Sequence, residues 1–263
     1  MIVKRKAGVL YFGNEEKKER ESLVEIQFHD NLVRGVFLER LNRFVLECQL
    51  PSGSIEKVHL PDPGRLKELL VRGNPIWLQA STDPKRKTKW SAVMTYDASN
   101  DMYVSLNTQY PNRLVLEALQ LEVLEELKDW RLEKAEYTVG NSRFDFLLTH
   151  KQNEQKLLLE VKSVTMVEEG VGKFPDAVTS RGARHVEELT HFQAKGSYQT
   201  AVLFIAQRTD LRGITSAPEI DPHFSRVMEE AQNQGVRLFG RSCIVTPERI
   251  SLNGPLPVYA KKD

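Results

Sequence analysis

The sequence predicts an α/β protein (α+β overall) built from two folded units, a small β-barrel or sandwich followed by a mixed α/β domain. Short β-rich runs fill residues 23 to about 105, and turns of the types PSGS, PDPG and GNP separate them. From about residue 110, helical patterns alternate with strand patterns, which is typical of layered α/β domains. We therefore assign residues 23–108 to the first domain and residues 109–263 to the second.

The barrel prediction depends on several short runs of β-favouring residues with turns at close spacing. These runs are VEIQF, LVRGVFLERL, RFVLECQL and PIWLQA. Within this domain the sequence predicts one helix, around Arg65–Val71. Residues 1–22 precede the barrel and carry the charged run EEKKERE, so we interpret them as an accessory arm.

The second domain is expected to begin with a helix and to continue with alternating strands and helices. PNRLVLEALQLEVLEELKDW places Leu116, Leu119, Val123 and Leu127 at helical spacing, with Pro111 as a start signal. A loop is expected at residues 169–183. The other predicted elements are strands at YTVG, SRFDFLLTH, KLLLEVKSV, TAVLFIAQ and VRLFGRSCIV and helices at RHVEELTHFQAK and HFSRVMEEAQNQG.

Composition limits the class of protein. The 263 residues include 37 Lys and Arg against 36 Asp and Glu, so net charge gives no argument for a nucleic-acid or membrane partner. The two cysteines lie far apart without a CxxC, which excludes a cysteine-based structural zinc site and favours a reducing compartment. No stretch approaches the roughly 18 apolar residues of a membrane span. We expect a cytoplasmic protein without membrane contact.

The strand KLLLEVKSV carries two charges where an apolar strand would have none. Side chains of a strand alternate between faces, so Glu160 and Lys162 share the face of Leu158. Burying an unpaired charge costs several kcal/mol. The sequence therefore indicates either a satisfied ion pair or a pair required for chemistry.

The preceding strand carries a third charge, Asp145, between Phe144 and Phe146. A hairpin joining residues 143–149 to 156–163 would bring Asp145 beside Glu160, and adjacent carboxylates repel unless a cation lies between them. A hard divalent cation such as Mg²⁺ or Mn²⁺ prefers such oxygen ligands, and Lys162 would neutralise a phosphate or orient water. An Asp followed by Glu-x-Lys on the next strand is the signature of the PD-(D/E)xK nuclease core.

Glu117, on the helix before Asp145, is a further candidate for this metal site. In the PD-(D/E)xK core a helix at this place commonly carries a carboxylate that completes the site. The alternative is an acidic residue that simply favours the start of a helix.

Two basic segments are candidates for phosphate contact. In KFPDAVTSRGARHVEEL, Thr179 or Ser180 is expected to cap a helix whose start carries Arg181, Arg184 and His185, and such helix starts bind phosphate. The alternative is a capped surface helix.

The second basic segment is TDPKRKTKW, which places Lys85, Arg86, Lys87 and Lys89 beside Trp90. Basic side chains follow a phosphate backbone and an aromatic ring stacks on bases, as in OB barrels. The alternative is a solvated loop.

Several of these segments together resemble the sugar fermentation stimulation protein A (SfsA) family. The resemblance covers about residues 30–258 and rests on LLEVKSVTMVEEGVGKFPDAVTSRGARHVEEL, SRFDFLL, N-T-x-x-P-N-R-L-x-x-E-A at 107–118 and KRK near 85. It implies an N-terminal OB-like barrel, a C-terminal PD-(D/E)xK nuclease-like domain and non-specific DNA binding. It also implies a regulatory role in sugar (maltose) metabolism. Residues 1–22 lie outside it.

The resemblance carries a nuclease-site role onto Asp145, Glu160 and Lys162, and onto Glu117, and it suggests that the Val161 carbonyl faces the ion. The chain departs from the family at Asp62-Pro63-Gly64, where an Asn-Thr-Gly turn is usual. The candidate DNA-contacting residues are Arg65, Lys85, Arg86, Lys87, Lys89, Trp90, Arg143, Ser163, Arg181 and His185.

Three hypotheses follow for the function. The first is a Mg²⁺- or Mn²⁺-dependent nuclease acting on DNA, and the second is a catalytically silent, non-specific DNA-binding regulator of sugar-metabolism genes. The third is a structural Glu160–Lys162 ion pair in a protein of unrelated function. The sequence leaves open whether the DNA is single- or double-stranded and whether the chain forms a homo-oligomer.

Overall fold

The computed structural model describes residues 24–28 and 32–260, and the predicted accessory arm at residues 1–22 lies outside them. The helices are α1 (Tyr110–Gln120), α2 (Ser180–Ala194) and α3 (Pro222–Asn233), with a 3₁₀ turn at Glu125–Leu127. The strands are β1 (Glu25–Gln27), β2 (Val33–Asn42), β3 (Val45–Gln49), β4 (Ile55–His59), β5 (Pro75–Ala80), β6 (Trp90–Asp97), β7 (Met102–Ser105), β8 (Trp130–Val139), β9 (Ser142–His150), β10 (Lys156–Val164), β11 (Val167–Glu168), β12 (Val171–Phe174), β13 (Gln199–Ala206), β14 (Ile214–Ser216), β15 (Arg237–Val245), β16 (Arg249–Leu256) and β17 (Val258–Tyr259).

Strands β2 to β6 form a closed five-stranded barrel, which confirms the predicted OB-like domain. The strand order is β4-β3-β2-β5-β6, and β6 pairs in parallel with β4 to close the ring, with β7 added at the outer edge of β6. Alternate residues such as Leu46, Val58 and Leu78 fill the interior and are fully buried. Closure leaves no free edge among these five strands.

The run VEIQF does not belong to the barrel, which corrects the sequence prediction. Its strand β1 pairs antiparallel with β16 at the edge of the sheet of the second domain, with Ile26 opposite Ile250. Val24, Ile26 and Phe28 are buried in the same core as Leu114 of α1. The burial of these apolar side chains stabilises β1 at the edge of this sheet. The sequence of the strand alone does not show which core its side chains will enter.

The predicted helix at Arg65–Val71 is also wrong, because this segment contains a single turn and no helix. Leu66 has φ +50°, outside the right-handed helical region. The N–H groups of Leu69 and Leu70 both donate to the carbonyl of Leu66, so only one turn forms.

The second domain is a seven-stranded sheet of order β1-β16-β15-β13-β10-β9-β8 with helices on both faces. Leu157, Leu159 and Val161 of β10 belong to the core that contains α1, whereas Leu158 belongs to the core that contains α2 and α3. The predicted alternation along this strand is therefore confirmed. Glu160 and Lys162, in register with Leu158, face the side of α2.

The boundaries of two predicted elements differ from the sequence prediction. Helix α1 begins at the predicted Pro111 signal but ends at Gln120, because Glu122 has φ +54°. The segment expected to be a loop at residues 169–183 contains β12, which pairs in parallel with β14 in a small separate sheet. In the part of the chain that the structure describes, no helix is long and apolar enough to cross a membrane.

The fully buried Arg208 joins the two domains. Its guanidinium binds Asp97 at the end of β6 at 2.7 Å and Asp210 at 2.6 Å, and also donates to the Thr165 carbonyl. Burial alone would lower the pKa of Arg208, but the ion pairs with Asp210 and Asp97 outweigh it and raise the pKa above its ordinary value. The barrel is therefore fixed to the α/β domain by a charge network shielded from solvent.

We expect Arg208→Met to lower the free energy of unfolding by about 3–5 kcal/mol, because Asp97 would remain buried without its partner. Urea unfolding at neutral pH measures the loss. Arg131→Met is the matched control, since Arg131 binds Glu154 at 3.0 Å with both side chains at least half exposed, and its loss should be below about 1 kcal/mol. Equal losses in the two variants would contradict the role of the buried network.

Candidate functional site

A cavity of about 390 Å³ lies between the two domains, and Asp145, Glu160 and Lys162 all line it. On the barrel side it is bordered by Arg43 and by the barrel turn, residues 62–64. On the other side it is bordered by the facing loop, residues 175–179, which leads into α2. The charged face of β10 therefore opens into a partly open cavity between the two domains.

Asp145 is held where β9 and β10 separate. Their antiparallel register runs from Lys156–Thr149 to Leu159–Phe146 and stops before Glu160 and Asp145. At that point the Asp145 Oδ2 accepts the N–H of Val161 at 2.7 Å, and its Oδ1 accepts the Asn112 amide at 2.6 Å. A side chain thus replaces the backbone partner and holds the strands apart next to the cavity.

Glu160 is 4% exposed and is held by two cationic or potentially cationic groups. Its Oε1 lies 2.6 Å from Lys162 Nζ and 2.6 Å from His185 Nδ1. Burial would raise the pKa of Glu160, but Lys162 and His185 outweigh it and the pKa is lowered. Glu160 is therefore a carboxylate.

Asp145 differs from Glu160 in its ionisation. Burial, and then the neighbouring charge of Glu160, raise the pKa of Asp145 to about 6, although the Val161 N–H, Lys162 and Asn112 favour the carboxylate. Two adjacent carboxyl groups in a buried place resist being charged together, and a cation between them removes that penalty.

The oxygen atoms of this site suit a hard divalent cation. Glu160 Oε2 is buried and has no hydrogen-bond partner among the described residues. The carbonyl of Val161 points to the same side of β10 as its N–H, towards Asp145, because both groups of a strand residue face one neighbouring strand. Within residues 24–28 and 32–260, no group of three or more His, Cys, Asp or Glu is placed to hold a metal. The carboxyl groups that line the cavity beside Lys162 are Asp145 and Glu160, and Mg²⁺ is usually held by one or two carboxylates together with water and substrate phosphate.

The structure changes the expected role of His185. His185 was predicted to contact DNA, but it is 4% exposed and its Nδ1 binds Glu160. Arg181 and His185 are four residues apart and share one face of α2, so the difference is one of depth: Arg181 is exposed at the start of the helix, and His185 is buried one turn further along it. Arg181 Nε lies 3.5 Å from His185 Nε2, so a chain of contacts runs from the exposed arginine to Glu160.

Glu117 is not among the residues that line the cavity. Asn112, five residues earlier on α1, is there instead. The helix turns by about 100° per residue, so these two positions lie on different faces. Asn112 follows Pro111 in the N-T-x-x-P-N-R-L segment, and that motif is the signal that could have identified it.

The other predicted DNA contacts divide into two groups. Arg143, Arg181 and Ser163 line the cavity, with Ser163 accepting a bond from Gln207. Thr179 caps α2 as predicted, with its side chain accepting the Gly182 N–H.

The second group lies outside the cavity. Arg65 Nε donates to the Asp176 carbonyl at 2.7 Å instead of facing the cavity. Lys85, Lys87 and Lys89 of the barrel are exposed outside it. Arg86 is half-buried and bonds Ser91 and Thr88, and Trp90 is half-buried against the barrel core, so its ring is less open to a base than the sequence predicted.

A second carboxyl pair, missed in the sequence, joins the barrel turn to the facing loop. A Cβ on Gly64 would lie 1.9 Å from Asp176 Oδ2, so only glycine permits this contact. Asp62 accepts the Gly64 N–H at 2.8 Å and is buried. Burial, followed by the charge of Asp176, raises the pKa of Asp62 to about 7.

Comparison with known proteins agrees with this arrangement. Residues 109–249 match a family model described as the sugar fermentation stimulation protein RE domain, and residues 38–106 match the SfsA N-terminal OB domain. A sugar fermentation stimulation protein homolog of Shouchella clausii is 44% identical over 86% of the chain and 97% of its own length. The corresponding homolog of Alteromonas mediterranea is 38% identical, covering 89% and 99%.

A solved structure of Pyrococcus furiosus SfsA in complex with Ca²⁺ has a similar fold. Its TM-score is 0.79 at 24% identity, and the match covers 89% of this chain and 98% of that one. At this level of identity the similarity establishes the fold.

We expect Asp62→Asn to stabilise the protein at pH 8 and to have little effect near pH 4. The pKa of Asp62 is raised to about 7, so the folded protein binds a proton more tightly than the unfolded chain. Stability is therefore lost as pH rises from about 4 to about 7, by at most about 4 kcal/mol. Asparagine keeps the bond to Gly64 without the charge. Thermal unfolding at both pH values measures the difference.

Asp83→Asn is the control for this prediction. Exposed Asp83 of the same domain accepts the N–H of Lys85, two residues on, at 2.9 Å, so it has the same local bond without the burial. A variant of Asp62 that is less stable than wild type at pH 8, or that matches Asp83→Asn, would show that Asp62 is not a buried charge.

Proposed function

The chain belongs to the sugar fermentation stimulation protein (SfsA) family, and we propose that it is a divalent-metal-dependent nuclease whose active site is the cavity between its domains. One observation carries the proposal. Asp145 and Glu160 meet where two strands separate, with Glu160 Oε2 unpaired and Lys162 2.6 Å from the other oxygen. A structural ion pair alone would need neither Asp145 nor the unpaired oxygen.

Asp145 and Glu160 would hold Mg²⁺ or Mn²⁺, with the Val161 carbonyl. When bound, such an ion supplies Lewis-acid stabilisation of charge at phosphorus and lowers the pKa of bound water. The Pyrococcus furiosus structure was solved with Ca²⁺, another hard cation that takes oxygen ligands. This supports an oxygen-rich cation site in the fold.

The residues of the chain have distinct roles in the proposed reaction. Asn112 and the Val161 N–H orient Asp145, and His185 and Lys162 orient Glu160. Lys162 faces the cavity and would bind a phosphate oxygen or orient the attacking water. The water oxygen forms a bond to phosphorus as the bond to one sugar oxygen breaks, and the released proton passes through solvent to the leaving oxygen.

The proposed substrate is DNA, bound without sequence preference. Arg43, Arg143 and Arg181 line the cavity as cationic side chains suited to phosphates. Contacts with phosphates carry no sequence information, so these arginines would bind the DNA backbone whatever the base sequence. A nuclease of this kind is expected to act in the cytoplasm.

We expect Glu160→Gln to lower the rate of DNA cleavage with Mg²⁺ or Mn²⁺ by about 100-fold or more, because the amide cannot bind the cation as a carboxylate does. Cleavage of supercoiled and single-stranded DNA measures the rate, and EDTA should abolish it in wild type. Glu136→Gln is the matched control. Glu136 also lines the cavity but is exposed and binds only Arg143, at 3.5 Å.

The same experiment tests the alternative of a catalytically silent DNA-binding regulator. That function predicts DNA binding by wild type and both variants, with no metal-dependent cleavage by any of them. This outcome would exclude the nuclease and leave the regulator.

The basic barrel segment is proposed to hold the DNA backbone outside the cavity. Replacing Lys85, Arg86, Lys87 and Lys89 with Gln should weaken binding and reduce the slope of log affinity against log salt by up to about 3, at roughly 0.7 per phosphate contact. Fluorescence anisotropy across a salt series measures both. An unchanged slope would exclude this segment from the interface. The control changes net charge equally at four exposed positions of the second domain, Lys128, Arg131, Lys195 and Arg226.

A further inference from the structure

We propose that the cavity accepts a single strand of nucleic acid, or an unpaired segment of a duplex, and that Phe44 and Val178 at its mouth contact the bases beside the phosphate. The inference rests on the proposed function and specifies its substrate class. It derives from the burial of Glu160 and Lys162, from the contacts that join the barrel turn to the facing loop, and from the exposed apolar residues Phe44 and Val178.

The charged groups of the site offer little exposed surface to a bulky duplex. Glu160 is almost completely buried, and the Lys162 side chain is only 12% exposed. A cavity of about 390 Å³ has the size of a small-ligand site. A paired strand brings its complement with it, whereas a single strand can place one phosphate in a space of this size on its own.

The walls of the cavity are joined, which prevents them from simply opening around a duplex. The Arg65 guanidinium of the barrel donates to the Asp176 carbonyl of the facing loop at 2.7 Å. The Asp176 carboxyl group packs against Gly64 so closely that no side chain would fit there. Arg40 donates to the Gly64 carbonyl at 2.6 Å and to the Arg65 carbonyl at 2.8 Å, so the barrel turn is itself fixed.

Two exposed apolar side chains belong to this region: one lines the cavity, and the other directly follows a residue that lines it. Val178 lines the cavity and is 67% exposed. Phe44, at the turn between β2 and β3, is 47% exposed and follows Arg43, which lines the cavity. The Arg43 guanidinium lies 5.8 Å from the centre of the Phe44 ring and donates to the Pro63 carbonyl of the barrel turn.

This combination matches a single strand better than a duplex. Single exposed apolar residues are common on protein surfaces, but here Val178 lines the cavity and Phe44 is the neighbour of Arg43, which also lines it. Proteins that bind single strands combine cationic groups for the backbone with aromatic rings on which unpaired bases stack. Arg43 and Phe44 are adjacent and supply both kinds of contact.

The test compares three labelled DNAs, namely a single strand of mixed sequence, the same strand in a blunt duplex, and a duplex with an internal unpaired loop. With Mn²⁺, wild type should cleave the single strand and the unpaired loop at least about 10-fold faster than the blunt duplex. Binding of the same DNAs is measured by anisotropy in EDTA, so strand preference is obtained even without cleavage.

Phe44→Ala and Val178→Ala test the contacts at the mouth. Phe44→Ala should weaken binding of the single strand by about 5-fold or more, the loss expected for one stacked base. Val178→Ala, which removes two methyl groups and no aromatic ring, should weaken it by about 2-fold or more. Both should raise KM more than they lower kcat. Ile55→Ala is the control, because Ile55 is 59% exposed on the same barrel and neither lines the cavity nor adjoins a residue that does. Thermal unfolding checks that all three variants are folded.

The outcomes separate this inference from the proposed function. Equal binding and cleavage of blunt duplex and single strand would overturn the strand preference and leave the nuclease in place. Variants of Phe44 and Val178 that behave as Ile55→Ala would overturn the role of the mouth. A wild type that binds single strands preferentially without cutting any DNA would retain this inference and exclude the nuclease.

Discussion

The hydrogen bond between the Asp145 carboxylate and the Val161 N–H is the interaction on which the site depends. Two antiparallel strands normally satisfy each other's backbone groups along their whole length. Here a side chain satisfies one of those groups, so the strands can part without leaving a buried N–H unpaired. The space created in this way receives Glu160 and Lys162. Their burial is tolerated because Lys162 and His185 both bind one oxygen of Glu160. The other oxygen of Glu160 has no hydrogen-bond partner among the described residues.

The barrel completes this site instead of merely adjoining it. Arg208 fixes the end of β6 to the second domain, and the contact of Gly64 with Asp176 fixes the barrel turn to the facing loop. Both contacts use charged groups away from solvent, where geometry is strict and a lost partner is costly. The walls of the cavity therefore come from different domains but are held in one arrangement.

The parts of the structure that could be predicted from the sequence are those in which a charged residue interrupts an apolar strand. Strand β10 has the bounds of the run KLLLEVKSV. Asp145 and Glu160 were expected side by side, because a carboxylate within an apolar strand is recognisable in the sequence alone. The position of β1, the burial of His185 and the proximity of Asn112 to Asp145 depend on contacts between distant segments. Leu66 was misread because its φ of +50° is imposed by surroundings that helix propensity does not describe.

The pairing of β1 with β16 makes the barrel an insertion within the second domain, since chain on both sides of the barrel contributes to one sheet. A fragment beginning at residue 109 would therefore lack an edge strand and expose the backbone groups of β16 together with the apolar surface that Val24, Ile26 and Phe28 cover. Such an uncovered edge invites pairing with other chains. Excision at the apparent boundary would thus yield an aggregation-prone piece, and the two domains are constrained to be inherited and engineered as one unit.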